Sequence, residues 1–271
     1  MPILNKDMTL CISLSGRPSN IGTRFHNYLY EELGLNFVYK AFSTDDLAGA
    51  IAGVRALGIR GCSVSMPFKE DVMAMVDEIE SSAKAIDSVN TIVNANGRLV
   101  ASNTDFEAIA TLIERHQLDP GSSVLVRGSG GMAKAVVAAF REAGFHDLTV
   151  LARNEGSGQG LADKYGYSFA GVDPAPGHKI LVNVTPLGMD GAQSEELSFS
   201  AEQIGFAQSV FDVVAFPSET PLIRIARNAG KPVITGAEVI ALQAAAQFEK
   251  YTGHALSEEQ IRRASEFSRE S

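Results

Sequence analysis

Val126-Arg127-Gly128-Ser129-Gly130-Gly131-Met132-Ala133 is the stretch that decides the fold of this chain of 271 residues. Its apolar start predicts the end of a β-strand, and the pattern from Met132 to Ala143 predicts a helix directly after the glycines. Gly128, Gly130 and Ala133 satisfy the G-x-G-x-x-A form of the dinucleotide-binding turn. In such a turn the backbone approaches a pyrophosphate, which free N–H groups at the helix N-terminus bind. The stretch therefore predicts a Rossmann-type domain, against the alternative of an ordinary glycine-rich turn.

The choice of dinucleotide depends on the end of the next predicted strand, about 20 residues further on. That place is occupied by Leu151-Ala152-Arg153-Asn154, in which no carboxylate precedes the arginine. A guanidinium matches a 2′-phosphate, so NADP is favoured over NAD, although Glu155 follows closely enough to reach a ribose. The predicted cofactor contacts in this half of the chain are Gly128, Ser129, Gly130, Gly131, Met132, Ala133, Ala152, Arg153 and Asn154.

Strand patterns and helical patterns alternate over most of the chain, which predicts an α/β fold with mainly parallel sheets. An Asn-Gly turn at residues 95–97 predicts a hairpin between Thr91 and Val100, and residues 156–160 are glycine-rich and predicted to be locally flexible. The other predicted strands are Thr9 to Leu14, Phe37 to Phe42, Cys62 to Met66, Val124 to Arg127, Leu148 to Ala152, Ile180 to Val184, Val210 to Val214 and Pro232 to Ile234.

Composition excludes several classes of function. The formal net charge of −9 argues against a nucleic-acid partner, because a phosphate-binding surface needs a basic field. No apolar run approaches the length that spans a bilayer, and the N-terminus lacks a signal-peptide pattern. Cys11 and Cys62 are the only cysteines and have no metal-ligand spacing, so we expect neither a disulfide nor a metal site. We expect a cytoplasmic protein whose partner is a small molecule.

Three segments place polar residues together in a fixed order along the chain: Ser65-Met66-Pro67-Phe68-Lys69-Glu70, Ser88-Val89-Asn90-Thr91 and Asn103-Thr104-Asp105. With the glycine turn they resemble the ordered motifs of the shikimate dehydrogenase family. The resemblance covers nearly the whole chain. Its further matches are His26-Asn27, Asn183-Val184-Thr185-Pro186-Leu187-Gly188, Thr220-Pro221-Leu222, Gly236 and Gln243.

The resemblance implies an oxidoreductase that interconverts 3-dehydroshikimate and shikimate, or a related cyclic polyol acid such as quinate, within aromatic amino acid biosynthesis. Lys69 and Asp105 are then the catalytic pair, which handles a proton at the carbon that loses or gains hydride. The resemblance assigns substrate contacts to Ser65, Asn90 and Gln243. It also implies cofactor contacts from Thr185, Val213 and Gly236.

The departures from the family pattern fall on groups that hold the ligands. Family members carry two serines shortly before His-Asn, where their hydroxyls bind the substrate carboxylate, and this chain has Asn20 and Gly22 at those two positions. A substrate tyrosine of the family falls at Ala215, and a second basic cofactor residue falls at Ser157. Asn20 and Gly22 remain candidates for substrate contact. The changes resemble the divergent shikimate dehydrogenase-like branch and predict weak binding of shikimate.

The family resemblance also predicts the domain organisation. Residues 1–105 and 237–271 should form a substrate-binding catalytic domain to which the C-terminal helices return, and residues 106–236 should form the NADP-binding Rossmann domain, with the active site between them. The resemblance permits a monomer or a homodimer. Two alternatives remain open: an NADP(H)-binding module with little catalysis, and another Rossmann enzyme with a lysine-containing cleft, such as a methylenetetrahydrofolate dehydrogenase.

Overall fold

The computed structural model describes residues 4–270, and the chain divides into two compact units. The first unit is Met1–Glu107 together with Ala241–Ser271, and the second is Ala108–Ile240. Within the described residues, no helix combines the length and the apolarity that crossing a membrane requires. The binding roles predicted for residues 1–105 with 237–271 and for 106–236 stay predictions.

The elements of the first unit are β1 (Thr9–Leu14), α1 (Asn20–Glu32), β2 (Phe37–Phe42), α2 (Leu47–Ala56), β3 (Gly61–Val64), a 3-10 helix (Asp71–Met75), β4 (Glu78–Ile79), α3 (Ser81–Lys84), β5 (Thr91–Ala95) and β6 (Arg98–Ser102). The six strands form one mixed sheet in the order β2-β1-β3-β5-β6-β4. Strands β1, β2 and β3 are parallel, whereas β5 pairs antiparallel with both β3 and β6. The predicted hairpin at residues 95–97 is confirmed, because β5 and β6 flank it.

The elements of the second unit are α4 (Thr104–Arg115), which begins in the first unit, then β7 (Val124–Arg127), α5 (Gly131–Glu142), β8 (Leu148–Leu151), α6 (Glu155–Tyr165), β9 (Ser168–Ala170), β10 (Ile180–Asn183), α7 (Ala201–Phe206), β11 (Ser209–Asp212), α8 (Pro221–Asn228) and β12 (Val233–Thr235). The six strands form a fully parallel sheet in the order β12-β11-β10-β7-β8-β9. The strand order reverses beside β7, and such a switch point is where open α/β sheets bind ligands.

The C-terminal helices complete the core of the first unit, as the sequence predicts. They are α9 (Gly236–Thr252), which begins in the second unit, and α10 (Glu258–Arg269). Phe248 of α9 is fully buried and packs in one apolar cluster with Phe25 and Tyr30 of α1 and Tyr39 of β2. The last part of the chain is therefore an integral part of the unit that the first part begins.

The structure corrects one local expectation. Residues 156–160 are not flexible but lie in helix α6. Asn154 caps this helix, since its side chain accepts a hydrogen bond from the Ser157 N–H at 3.0 Å. The cap satisfies a backbone group that the first turn leaves unpaired, which offsets the low helix propensity of glycine. The short strands β4 and β9 were not predicted, because two or three residues are too few to show an alternating pattern.

Both cysteines are buried free thiols. Cys11 lies on β1 and Cys62 on the neighbouring strand β3. Burial raises the pKa of Cys11 to about 11, so its reactive thiolate form is scarce at neutral pH. Both residues therefore serve as small core side chains.

Phe248→Ala tests whether α9 holds the first unit together. We expect the free energy of unfolding to fall by about 3–5 kcal/mol, the usual cost of removing a buried phenylalanine ring. Phe206→Ala is the matched control, since Phe206 is 54% exposed and its removal should change stability by less than about 0.5 kcal/mol. Urea unfolding followed by circular dichroism measures both changes. Equal losses in the two variants would contradict the packing described for α9.

Candidate active site

One edge of the first sheet gathers most of the polar residues that the sequence singles out. Ser63 of β3, Thr91 of β5 and Ser102 of β6 lie side by side in register. Because β5 is antiparallel to its neighbours, the end of β3, the start of β5 and the end of β6 share this edge. Ser65, Asn90 and Asp105 follow or precede these strand ends within a few residues, so residues distant in sequence meet here.

Lys69 and Asp105 form a direct ion pair at this edge. The Lys69 Nζ donates a hydrogen bond to the Asp105 Oδ2 at 2.6 Å, and the two side chains are 25% and 11% exposed. Asp105 lies in the first turn of α4, and the main-chain oxygen of Lys69 accepts a hydrogen bond from the Val89 N–H at 2.8 Å. A charged hydrogen bond of this length places an acid and a base within proton-transfer distance while both still reach solvent.

Three hydrogen bonds hold the side chain of Asn90 through its amide oxygen. Its Oδ1 accepts from the Thr91 hydroxyl at 2.7 Å, the Thr104 N–H at 2.8 Å and the Thr104 hydroxyl at 3.1 Å. The Thr104 hydroxyl also lies 3.4 Å from the Oε1 of Gln243. Thr104 therefore connects two predicted substrate contacts, and it directly precedes Asp105. In this way the structure brings together Lys69, Asp105, Asn90 and Gln243.

Three predicted substrate residues make no hydrogen bond to that cluster within the described chain. Ser65 follows β3 directly and is exposed, with its N–H bonded to the Leu14 oxygen at 2.9 Å. Asn20 is exposed at the start of α1, and Gly22 lies two residues further along the helix. The nearby Ser15 hydroxyl accepts a hydrogen bond from the Arg17 N–H at 3.0 Å.

The His26-Asn27 motif has a structural place in this unit. Asn27 bonds the backbone of Tyr39 through both ends of its amide, at 2.9 and 3.0 Å, which ties α1 to β2. The ring of His26 stacks on that of Tyr39 with 4.4 Å between centroids, and it is fully buried. Burial lowers the pKa of His26 to about 3, so the ring is neutral at physiological pH.

The glycine turn of the second unit has the backbone that a phosphate site requires. Gly128 follows β7 directly with a φ of +126°, a region that favours glycine, and a Cβ there would lie 2.8 Å from the Val184 side chain. Gly130 precedes α5 in extended conformation, and no side chain caps that helix. The first N–H groups of α5 are therefore available to an anion. Ser129 lies in this turn, and Gly131, Met132 and Ala133 are the first three residues of α5.

The residues after β8 lie beside the glycine turn, because β8 is the neighbour of β7 in the parallel sheet of the second unit. Ala152 follows β8 directly and is buried, whereas Arg153 is exposed and makes no ion pair among residues 4–270. Ser157 stands where a second basic residue was expected, and its hydroxyl lies 2.7 Å from that of Ser129.

Arg127 is not free to bind phosphate. Its guanidinium pairs with Asp173 and lies 5.3 Å from the centroid of the Phe199 ring. The ion pair and the ring contact give it instead a structural place beside β7.

Thr185, Val213 and Gly236 continue the same edge at the ends of β10, β11 and β12. The Thr185 hydroxyl donates to the Oδ1 of Asn183 at 2.6 Å, and Asn183 in turn donates to Asp212 at 3.0 Å. Burial raises the pKa of Asp212, which sits among these partners at the end of β11. A Cβ on Gly236 would overlap the Val214 carbonyl, so only glycine allows this close approach.

Three residues that hydrogen-bond Asn90 or its neighbours in the first unit were not predicted to have a role. Thr91 and Thr104 were quoted within motifs but received no role. Gln247 was not considered, although it lies four residues after Gln243, a spacing that places both amides on one face of α9. That spacing was the available signal.

Comparison with known proteins identifies the family. A family model described as the shikimate dehydrogenase substrate binding domain matches residues 20–92. A shikimate dehydrogenase-like protein of Haemophilus influenzae is 58% identical over 98% of this chain and 99% of its own. A shikimate dehydrogenase (NADP(+)) of Pyrococcus abyssi is 34% identical over 93% of this chain and 96% of its own.

A solved structure supports the same conclusion. The shikimate 5-dehydrogenase of Thermus thermophilus, in complex with NADP(H) and shikimate, superposes with a TM-score of 0.86 at 28% identity. The superposition covers 96% of this chain and 100% of that one. The predicted α/β architecture, a substrate domain joined to a Rossmann-type domain, is confirmed by this likeness. The chain belongs to the shikimate dehydrogenase family, in which it is similar to the shikimate dehydrogenase-like proteins.

Proposed function

We propose that the protein is an NADP-dependent oxidoreductase that interconverts a secondary alcohol and a ketone on a cyclic polyol carboxylate, with shikimate or quinate as the substrate type. The observation that carries the proposal is the 2.6 Å hydrogen bond between Lys69 and Asp105, beside the amide of Asn90. The relatives named as NADP(+) shikimate dehydrogenases support the same substrate and cofactor classes.

Lys69 and Asp105 act in this mechanism as one proton-handling pair. Oxidation of an alcohol requires that a group accept the hydroxyl proton, and reduction requires that it return. Once Lys69 has lost a proton to solvent, its neutral amine takes the proton of the substrate hydroxyl as the hydride leaves, and the Asp105 carboxylate stabilises the ammonium that forms. In the reverse direction the ammonium donates it to the carbonyl oxygen.

Asn90 and Gln243 hold the hydroxyl groups of the substrate. The Oδ1 of Asn90 is occupied by three donors, so its Nδ2 is the group that donates to a substrate oxygen. Ser65 adds an exposed hydroxyl on the same edge. Because Asn20 and Gly22 replace two serine hydroxyls, the carboxylate loses hydrogen bonds worth about 1.5–3 kcal/mol each. We therefore propose weak binding of shikimate.

The second unit fits NADP(H) at the edge where β7, β8, β10, β11 and β12 end. The positive φ of Gly128 and the N-terminus of α5, which no side chain caps, suit a pyrophosphate, and Arg153 suits a 2′-phosphate. When bound, the nicotinamide supplies or accepts the hydride. Ala152, Asn154, Thr185, Val213 and Gly236 line this edge and would surround the cofactor.

Initial rates with shikimate or quinate and NADP⁺ or NAD⁺, followed by the absorbance of reduced nicotinamide, test the proposal. We expect turnover with NADP⁺ and at least one of the two acids. Tight binding of NADPH in calorimetry with no turnover of either acid would contradict it and would favour the binding-module alternative.

Lys69→Ala should lower kcat by about 10²- to 10⁴-fold, the usual range for the loss of a group that transfers a proton. Its Kd for NADPH, measured by fluorescence titration, should stay within twofold. Lys6→Ala is the control, because Lys6 is exposed, pairs with Asp7 and precedes the opposite edge of the sheet. Equal loss of turnover and of NADPH binding in Lys69→Ala would refute the assigned role.

Arg153→Gln should raise the Kd for NADP⁺ by about ten- to a hundredfold, since it removes a charged hydrogen bond to the 2′-phosphate. The Kd for NAD⁺, which has no such phosphate, should hardly change. Arg141→Gln removes the same charge near the C-terminal end of α5, away from the glycine turn, and should affect neither. Calorimetry measures both constants, and a parallel loss of NAD⁺ affinity would rule out a 2′-phosphate contact.

A further inference from the structure

Gln247 is a buried polar residue to which the proposed function gives no role. It is 5% exposed and lies on α9, four residues after Gln243. Its Nε2 donates to the Thr91 hydroxyl oxygen at 3.0 Å and to the main-chain oxygen of Asn90 at 3.3 Å, while its Oε1 accepts from the Ser63 hydroxyl at 3.2 Å. The nitrogen and the oxygen of this amide are therefore both hydrogen-bonded, the nitrogen at the start of β5 and the oxygen to β3.

The contact with Thr91 determines where the one proton of that hydroxyl goes. Thr91 is fully buried, so water does not compete for it. Since Gln247 offers Thr91 a donor, the hydroxyl accepts from Gln247 and keeps its own proton for another acceptor. Two oxygens lie within reach of that proton: the Oδ1 of Asn90 at 2.7 Å and the Thr104 hydroxyl at 3.3 Å. The contact with Asn90 is the shorter one and is the shortest hydrogen bond of the Asn90 side chain, so Asn90 is the acceptor.

The same oxygen also receives the Thr104 N–H at 2.8 Å and the Thr104 hydroxyl at 3.1 Å. These three donors on one side of the carboxamide orient the Nδ2 away from them. Asn90 therefore presents a donor, and the site selects at this point for a substrate oxygen that accepts a hydrogen bond.

We propose that Gln247 is a positioning residue for Asn90: by donating to Thr91, it makes the Thr91 hydroxyl a donor to the Asn90 oxygen and so presents the Asn90 Nδ2 to the substrate. The proposal rests on the proposed function in one respect, the contact between Asn90 and the substrate. The directions of the hydrogen bonds among Gln247, Thr91 and Asn90 do not depend on that assignment.

Gln247→Glu tests the direction of these bonds, because it replaces the donor with an acceptor of the same size. The Thr91 proton then turns to the carboxylate, and Asn90 loses its shortest hydrogen bond. We expect the KM for shikimate at pH 8 to rise about three- to tenfold, with kcat and the Kd for NADP⁺ within twofold. Gln247→Met removes the donor without adding an acceptor that competes for the Thr91 proton, so we expect a smaller rise in KM, of about two- to threefold.

The pairing with Thr91 gives the decisive control. In a Thr91→Val background there is no proton to redirect, so adding Gln247→Glu should raise KM by less than twofold. Thr91→Ser keeps the hydroxyl and should restore the response to Gln247→Glu. Gln208→Glu makes the same chemical change at an exposed position and should have no effect.

A second measurement does not depend on turnover. In protein with ¹⁵N-labelled asparagine, the Asn90 amide signal is identified by its loss in Asn90→Asp. We expect it to shift in Gln247→Glu and to stay unchanged when Thr91→Val is already present. Equal KM values in the Glu and Met variants, or an amide shift that persists without the Thr91 hydroxyl, would overturn the proposal. Absence of turnover in the unmodified protein would refute the proposed function alone, since the amide signal still reports on Gln247.

Discussion

The start of helix α4 is the constraint on which the site of the first unit depends. A helix begins with N–H groups that have no partner within it, and a buried start must find acceptors elsewhere. Here the Oδ1 of Asn90 takes the Thr104 N–H at 2.8 Å, and the Oδ1 of Asn103 takes the Phe106 N–H at 3.1 Å. The bond to Asn90 fixes the first turn against the start of β5, and the bond to Asn103 caps the helix, so Asp105 lies where Lys69 reaches it. The folding requirement of a helix end and the geometry of the Lys69–Asp105 ion pair therefore depend on the same turn.

The sequence predicted the elements well where a local pattern determines them. The strands at Thr9–Leu14, Phe37–Phe42 and Val124–Arg127 were predicted with their observed bounds, because each is an apolar run between turn residues. A helical pattern from Phe106 to His116 predicts this helix as well, but it places the start two residues later than α4 begins. Its true start at Thr104 depends on the acceptor from Asn90, a contact between segments distant in sequence that no periodicity shows.

The second unit shows how far a motif alone determines geometry. The glycine turn predicted a strand, a tight turn and a helix, and Gly128 has the positive φ that this arrangement needs. The motif did not predict that Arg127, one residue earlier, would pair with Asp173 across the strand end. Nor did it show that Ser157 would bond Ser129. A local pattern determines the backbone, whereas side-chain partners depend on which loops the sheet order brings together.

The residues of the first site differ in how firmly the fold holds them, and this difference bears on how the family diverges. Asn90, Thr104 and Asp105 are joined to the helix start and to one another, so replacing any of them disturbs buried hydrogen bonds. Asn20 is exposed at the first residue of α1, where its side chain makes no hydrogen bond to any of them. A substitution at such a position breaks none of the buried hydrogen bonds around Asn90. The start of α1 is therefore free to vary in sequence, while the fold constrains Asn90, Thr104 and Asp105.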